Sequence, residues 1–310
     1  MDLLQTCQFL KAAQTNGLRT VLVTVCGVEG SSMRNPGTIM GVAEDGSFAG
    51  SLSGGCIENA VVAEALNALG QGQPRVVRFG AGSPYLDIKL PCGGGLDVSF
   101  HPIEDDAFVV SCLASIEKRA PFSIATTPSG VEHKPEWHEA FFDPESGIAT
   151  FGHYPGPHIQ IVGHGAGVEA LATMASAFGC TSRILTPDKR LIGQLSGAGF
   201  EAHYLERTNE TGLLRSDHWT ANVFLFHDHD WEIELMQEAL AMPHFYLGAM
   251  GGRRAHAFRS EALRARGVSQ DQIDTIRAPI GLFHSSRDPH TLALSTLSEV
   301  IRTYEETSWK

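Results

Sequence analysis

The chain has 310 residues, 43% hydrophobic and 19% charged, with no low-complexity run: a soluble globular composition with enough length for two full cores. A formal net charge of −12 excludes nucleic-acid binding through a broad basic face, which needs clustered Lys and Arg, but it leaves room for a local anion pocket. No apolar run approaches the roughly 20 residues that cross a bilayer. The opening MDLLQTCQFLKAA lacks the basic and long apolar regions of a signal peptide, so a cytoplasmic protein with no membrane partner is expected.

In chain order, residues 3–15 read as a helix with Leu3, Cys7 and Leu10 on one face. Arg19 to Cys26 is a near-continuous β-branched run that delivers the chain to a turn at Gly30-Ser31-Ser32, then Arg34 and Pro36-Gly37. A strand from Thr38 to Val42, the hairpin signal Asp45-Gly46 and a strand from Phe48 to Leu52 follow. Ser51-Leu52-Ser53-Gly54-Gly55-Cys56 then opens onto a helix whose apolar positions Ile57, Val61, Ala65 and Leu69 share one face. Gln71 to Pro74 break that helix, and Arg75–Phe79 and Leu96–Phe100 are further strands, separated by the loop that holds Cys92-Gly93-Gly94-Gly95.

The six cysteines form no C-x-x-C and no paired framework, so they are read as free thiols. Cys7, Cys26, Cys112 and Cys180 fall in helices or beside apolar strands and are expected to be buried and inert. Cys56 and Cys92 sit in glycine-rich loops. A helix N-terminus stabilises a thiolate at Cys56, and Gly54 and Gly55 can expose consecutive N–H groups as an oxyanion nest. Ser51, Ser53 and Arg34 would add donors, whereas Glu58 in the first turn would compete for the same dipole. The alternative is a tight turn with a small buried thiol. For Cys92 the alternative is a bulge at Gly93–Gly95.

Ala107–Arg119 reads as a helix, Phe122–Thr126 as a strand, and Phe141–Phe151 as a short hairpin. Gly152 to Pro157 is the linker candidate, giving an N-terminal domain over 1–151, a linker over 152–157 and a second domain over 158–310. The second domain begins with a strand (His158–Val162), the loop Gly163-His164-Gly165-Ala166-Gly167, a helix (Val168–Phe178) and a strand (Ser182–Leu185), the unit of a dinucleotide-binding parallel sheet. The third glycine of G-x-G-x-x-G is replaced by Val168, and the ribose-binding acid falls near Thr186, with Asp188 two residues on. His227-Asp228-His229-Asp230 follows the strand Asn222–Phe226 and admits a metal-binding reading. His244–Leu247 is a strand, and Arg253-Arg254 behind Gly251-Gly252 would seat a phosphate or carboxylate, or else be solvated first-turn residues. Ser269 caps a short helical turn, Pro279-Ile280-Gly281-Leu282 ends a strand, and Pro289–Tyr304 is the closing helix.

Four blocks together resemble the XdhC/CoxI family, accessory proteins of molybdenum-containing xanthine, carbon monoxide and aldehyde dehydrogenases. They are G-S-S-x-R-x-P-G from Gly30 with S-L-S-G-G-C-I-E from Ser51; Cys92-Gly93-Gly94; the Gly163 loop with Asp228-His229-Asp230; and Tyr246-Leu247-Gly248 through Arg254 with Ala278-Pro279-Ile280-Gly281-Leu282. The chain departs from the family pattern at Thr186, at Gly252 and at Phe283-His284-Ser285-Ser286, positions that bear on a dinucleotide in the second domain.

The resemblance implies an α/β fold with an N-terminal XdhC-type domain and a C-terminal Rossmann-like domain. It implies a homodimeric chaperone without turnover of its own. Such a protein binds molybdenum cofactor, as molybdopterin or its cytosine dinucleotide, and delivers it sulfurated to a molybdenum hydroxylase. A cysteine desulfurase and a cofactor-synthesis or cytidylyltransferase enzyme are the implied partners. The residues carried into that site are Arg34, Ser53, Gly54, Gly55, Cys56, Glu58, Cys92, Gly93, Gly163, Gly165, Gly167 and Arg253, with Cys56 as a molybdenum ligand. The competing readings are an NAD(P)-dependent oxidoreductase built on residues 158–310 and a metal hydrolase at His227 and His229.

Overall fold

The computed structural model describes residues 2–32, 34–55, 57–83, 93–283 and 287–309. It divides into two compact units, Met1–Pro155 and Gly156–Lys310. Among the described residues no helix is long and apolar enough to cross a membrane.

The first unit runs α1 (Asp2–Thr15), β1 (Thr20–Glu29), β2 (Ile39–Ala43), β3 (Phe48–Ala49), α2 (Glu58–Gln71), β4 (Arg75–Gly80), β5 (Gly95–Ile103) and α3 (Ala107–Glu117). Four more strands follow: β6 (Phe122–Thr127), β7 (Gly130–Lys134), β8 (Phe141–Asp143) and β9 (Ile148–His153). The first five strands form an antiparallel sheet in the order β3-β2-β1-β5-β4. Its central strand β1 reads as continuously apolar because both faces are covered. Val21, Val23 and Val25 join Ile57, Val61, Ala65 and Leu69 of the α2 side. Leu22, facing the other way, joins Cys7 and Leu10 of α1 and Val109 and Cys112 of α3. Strands β7-β6-β9-β8 make a second antiparallel sheet, with Phe122 and Ile124 in the same core as α1 and α3. The sequence reading did not anticipate β7. Gly152 and His153, read there as connector, close β9 opposite Ser123 and Phe122.

The second unit runs β10 (His158–Gly163), α4 (Ala166–Phe178), β11 (Thr181–Thr186), α5 (Lys189–Gly197), β12 (Glu201–Tyr204), β13 (Thr220–Leu225), α6 (Ile233–Ala241), β14 (Tyr246–Ala249), α7 (Arg253–Ala265), α8 (Gln270–Asp274) and α9 (Pro289–Glu306). All five strands are parallel, in the order β12-β11-β10-β13-β14. The chain therefore winds outward from β10 in one direction, returns, and winds outward from β13 in the other. The gap beyond the carboxyl ends of β10 and β13 is the switch point at which such sheets take ligands.

A further element departs from expectation. Pro279–Leu282 is not a strand: the Gly248–Arg277 bridge and a single bond from Ile280 N to the Ala249 carbonyl at 3.2 Å tie the chain here to β14. The segment turns instead onto α9. Gly281 N donates to Glu299 Oε2 at 2.7 Å, Phe283 N to Ser295 Oγ at 2.7 Å and Leu282 N to the Ser295 carbonyl at 3.3 Å. Tyr246 Oη donates to the same Glu299 oxygen at 2.6 Å. Gly281 has φ +94°, and a Cβ there would lie 2.4 Å from Ser295 Oγ, so the turn requires glycine.

Candidate functional site

The S-G-G-C stretch is organised by Glu58. Its Oε1 accepts from Ser51 Oγ (2.8 Å), Leu52 N (3.2 Å) and Ser53 N (3.0 Å), and its Oε2 from Ser53 Oγ (2.7 Å) and Ile57 N (3.2 Å). Burial alone would raise the carboxyl pKa. Donation from Ser53, Ser51 and the Gly55 N–H outweighs that and holds it down at about 2. The two serines also work backwards, Ser51 Oγ accepting from Gly54 N and Ser53 Oγ from Ile57 N, each at 3.0 Å. Every described N–H from Leu52 to Ile57 is thus engaged inside the loop. Of the donors expected to face an external oxyanion, Ser51, Ser53 and the Gly55 N–H face Glu58 and the Gly54 N–H faces Ser51 Oγ. Glu58, expected only to compete for the helix dipole, is the resident anion around which Gly54 and Gly55 fold, at φ +75° and +111°. Helix α2 itself begins at Glu58, two residues beyond Cys56. Cys56 and Cys92 lie outside the described residues.

The neighbouring pieces converge by close backbone approach. A Cβ on Gly50 would lie 2.8 Å from the Ile39 carbonyl oxygen, so the Ser51 loop leaves the sheet beside the start of β2. A Cβ on Gly94 would lie 2.5 Å from the Ser31 carbonyl oxygen, which places the Gly93 loop against the Gly30-Ser31 turn. Ser32 Oγ closes that turn by accepting from Arg34 N at 3.1 Å. Arg34 lines a cavity of about 390 Å³ together with Pro36, Gly37, Ile39 and His153. His153 escaped the sequence reading because it lay in the supposed linker. Its Nε2 is buried without a hydrogen-bond partner, and burial lowers its pKa to about 4, so the ring is neutral.

In the second unit, Gly163 is required where β10 meets β13, since a Cβ would lie 2.6 Å from the Leu225 carbonyl oxygen. Gly165 is the N-cap of α4 at φ +81° with open space around it. Val168, in place of the third glycine, is fully buried in the core. A cavity of about 240 Å³ lies at the switch point, lined by His164, Gly165, Gly167, His227, Arg287 and Asp288. The His164 and His227 ring centroids are 5.9 Å apart. The N-terminal ends of α4 and α9 both border it, and the Arg287 guanidinium there is offset by the carboxylate of Asp288, which caps α9 by accepting from Thr291 N at 2.7 Å. The end of β11 does not supply the ribose-binding acid. Thr186 is buried, and Asp188 caps α5, accepting from Arg190 N at 2.9 Å and Leu191 N at 3.2 Å. Arg287 carried no signal in the sequence beyond its charge.

Arg253 and Arg254 are exposed in the first turn of α7 and do not line this cavity. The buried arginine is Arg259: its Nε donates to Glu232 Oε1 and its Nη2 to the Met250 carbonyl, both at 2.9 Å, with both side chains fully buried. Among the described residues no cluster of three His, Cys, Asp or Glu could hold a metal; the His229 side chain lies outside them. Cys7, Cys26, Cys112 and Cys180 are free and buried, as expected.

An N-terminal glycine-rich loop unit followed by a parallel, switch-point sheet defines a class, and comparison with known proteins gives the same class. Residues 13–80 match the XdhC and CoxI family and residues 159–300 the XdhC Rossmann domain. The chain is 32% identical over 308 residues to the molybdenum cofactor insertion chaperone PaoD of Escherichia coli K12, covering 96% of this chain and 88% of PaoD. It is 22% identical over 282 residues to the uncharacterized protein YqeB of the same organism, 41% of whose length it spans. A crystal structure of a protein described as a xanthine dehydrogenase from Bacillus halodurans shares the fold, with a TM-score of 0.80 at 20% identity over 100% of this chain and 97% of that one. The chain belongs to the XdhC/CoxI family.

Proposed function

We propose that this protein binds molybdenum cofactor, shields it and hands it in sulfurated form to a molybdenum hydroxylase of the xanthine, aldehyde or carbon monoxide dehydrogenase type. The observation that carries the reading is the end-to-end relationship to a molybdenum cofactor insertion chaperone. The first unit offers fitting chemistry: a cavity of about 390 Å³ with a guanidinium at Arg34 and an unpartnered buried nitrogen at His153. Arg34 would take the phosphate of the cofactor, as molybdopterin or its cytosine dinucleotide. Ser53, Gly54, Gly55 and Glu58 would set the shape of the loop that carries Cys56. Cys56 would supply a soft sulfur ligand or relay, with Cys92 beside Gly93 as the second thiol. Bound cofactor would bring the molybdenum–sulfur chemistry used by the recipient enzyme, while this chain holds, orients and excludes water.

In this reading residues 1–151 grip the cofactor. Residues 158–310 present the Gly163, Gly165 and Gly167 loop, with Arg253 exposed elsewhere on the same unit, for recognition of a partner. The protein works as a cytoplasmic homodimer between a cofactor-synthesis or cytidylyltransferase enzyme, a cysteine desulfurase and the target hydroxylase. The test is to purify the full chain from molybdenum-replete cells and measure molybdenum and oxidised pterin fluorescence per chain. Stoichiometric pterin that falls in Cys56→Ala is expected. A chain that carries none, or a Cys56→Ala variant that carries as much, would overturn the proposal.

A further inference from the structure

We propose that His153 is a ligand-binding residue of the first unit, donating a hydrogen bond from its Nε2 to a phosphate group held by Arg34. The inference rests on the cofactor reading only for the identity of the phosphorylated guest.

Three observations carry it. His153 and Arg34 line one cavity, although 119 positions of sequence separate them. The apposition is built in: Gly37, three residues after Arg34, sits so close to β9 that a Cβ on it would lie 3.0 Å from the Phe151 Cβ, two residues before His153. The P-G turn is therefore seated on the strand that ends in this histidine. Finally, His153 Nε2 is buried with no hydrogen-bond partner. A buried polar nitrogen without a partner is unfavourable, and a guest in the adjoining cavity would supply one.

The class of guest follows from the two groups. A guanidinium offers a fixed positive charge and paired donors that match a phosphate. An imidazole kept neutral by burial offers one N–H donor in its Nε2–H tautomer, without a second charge. The ring packs against Phe122 at a tilt of 35°, with centroids 5.5 Å apart. The remaining walls mix apolar Leu3, Pro36 and Ile39 with Thr38 and two glycines, which suits a phosphate carried on an organic body of mixed polarity.

The test uses the full chain with nitrogen-15-labelled histidine, titrated with inorganic phosphate, with His153 assigned by substitution. A saturable shift of the His153 Nε2 resonance is expected. His153→Phe should weaken phosphate binding about tenfold, the loss of one charge-assisted hydrogen bond, and His153→Gln, which keeps a donor, should restore most of it. A silent His153 resonance at saturating phosphate, or a Phe variant that binds as tightly as wild type, overturns the proposal. Pterin content of the same preparations separates the two readings. Phosphate bound at His153 in a chain that never carries pterin sinks the cofactor reading and leaves this site standing. Pterin retained with His153 silent does the reverse.

Discussion

The substitution Glu58→Gln tests whether the S-G-G-C loop is held by its own carboxylate. Glutamine can still accept at one oxygen from Ser51, Leu52 and Ser53, but its NH2 group meets the Ile57 N–H donor against donor, and the Ser53 hydroxyl must reverse its role from donor to acceptor. Losing charge-assisted bonds at one carboxylate oxygen sets a cost of about 2–3 kcal/mol. The depressed pKa gives a second route. A fall from 4.5 to about 2 corresponds to at most about 3 kcal/mol, and screening by solvent trims it to about 2 kcal/mol. Because the folded pKa lies below the unfolded one, this stabilisation is complete above pH 4.5 and is lost as the pH falls towards 2. Chemical denaturation of wild type and Glu58→Gln from neutral pH downward measures both. The gap should be about 2–3 kcal/mol at pH 7 and should shrink through that acid window. Equal stability at neutral pH, or a gap that does not narrow in acid, would refute the reasoning.

Two further perturbations probe the second unit. Arg259→Met strands Glu232 in the core and should cost about 3–5 kcal/mol, read as a fall in thermal midpoint. The double variant Arg259→Met with Glu232→Leu should recover most of it, and a single variant as stable as wild type would contradict the buried pair. Gly281→Ala places a Cβ 2.4 Å from Ser295 Oγ at a φ of +94°, for a loss of about 2–4 kcal/mol in denaturant titration. An unchanged midpoint would show that the turn is not as described.

Most of the architecture was legible because periodicity reports burial. The run of β1 and the spaced Ile57, Val61, Ala65 and Leu69 of α2 sit where their patterns put them. Strand β12 (Glu-Ala-His-Tyr) escaped as a short, partly exposed edge. Helices α5 and α6 escaped although Leu191 and Leu195 of the one and Ile233, Met236 and Leu240 of the other share buried faces; two glycines in nine residues mask α5, for which Asp188 is the cap. The P-I-G-L stretch misled because apolar residues there pack on a helix while their amides bond to Glu299 and Ser295, contacts made across 12 to 18 positions. In the site, the glycines and Arg34 announced a loop cluster. Neither the return of Glu58 onto the residues before it nor the placing of His153 by Gly37 leaves any local trace.

Helix α9 ties together parts that the sequence keeps far apart. It packs along α4, binds three successive amides of residues 281–283, and begins at the Arg287-Asp288 rim of the switch-point cavity. A guest that displaces this rim works against the α4–α9 packing, whereas on the opposite wall His227 stands on a short loop.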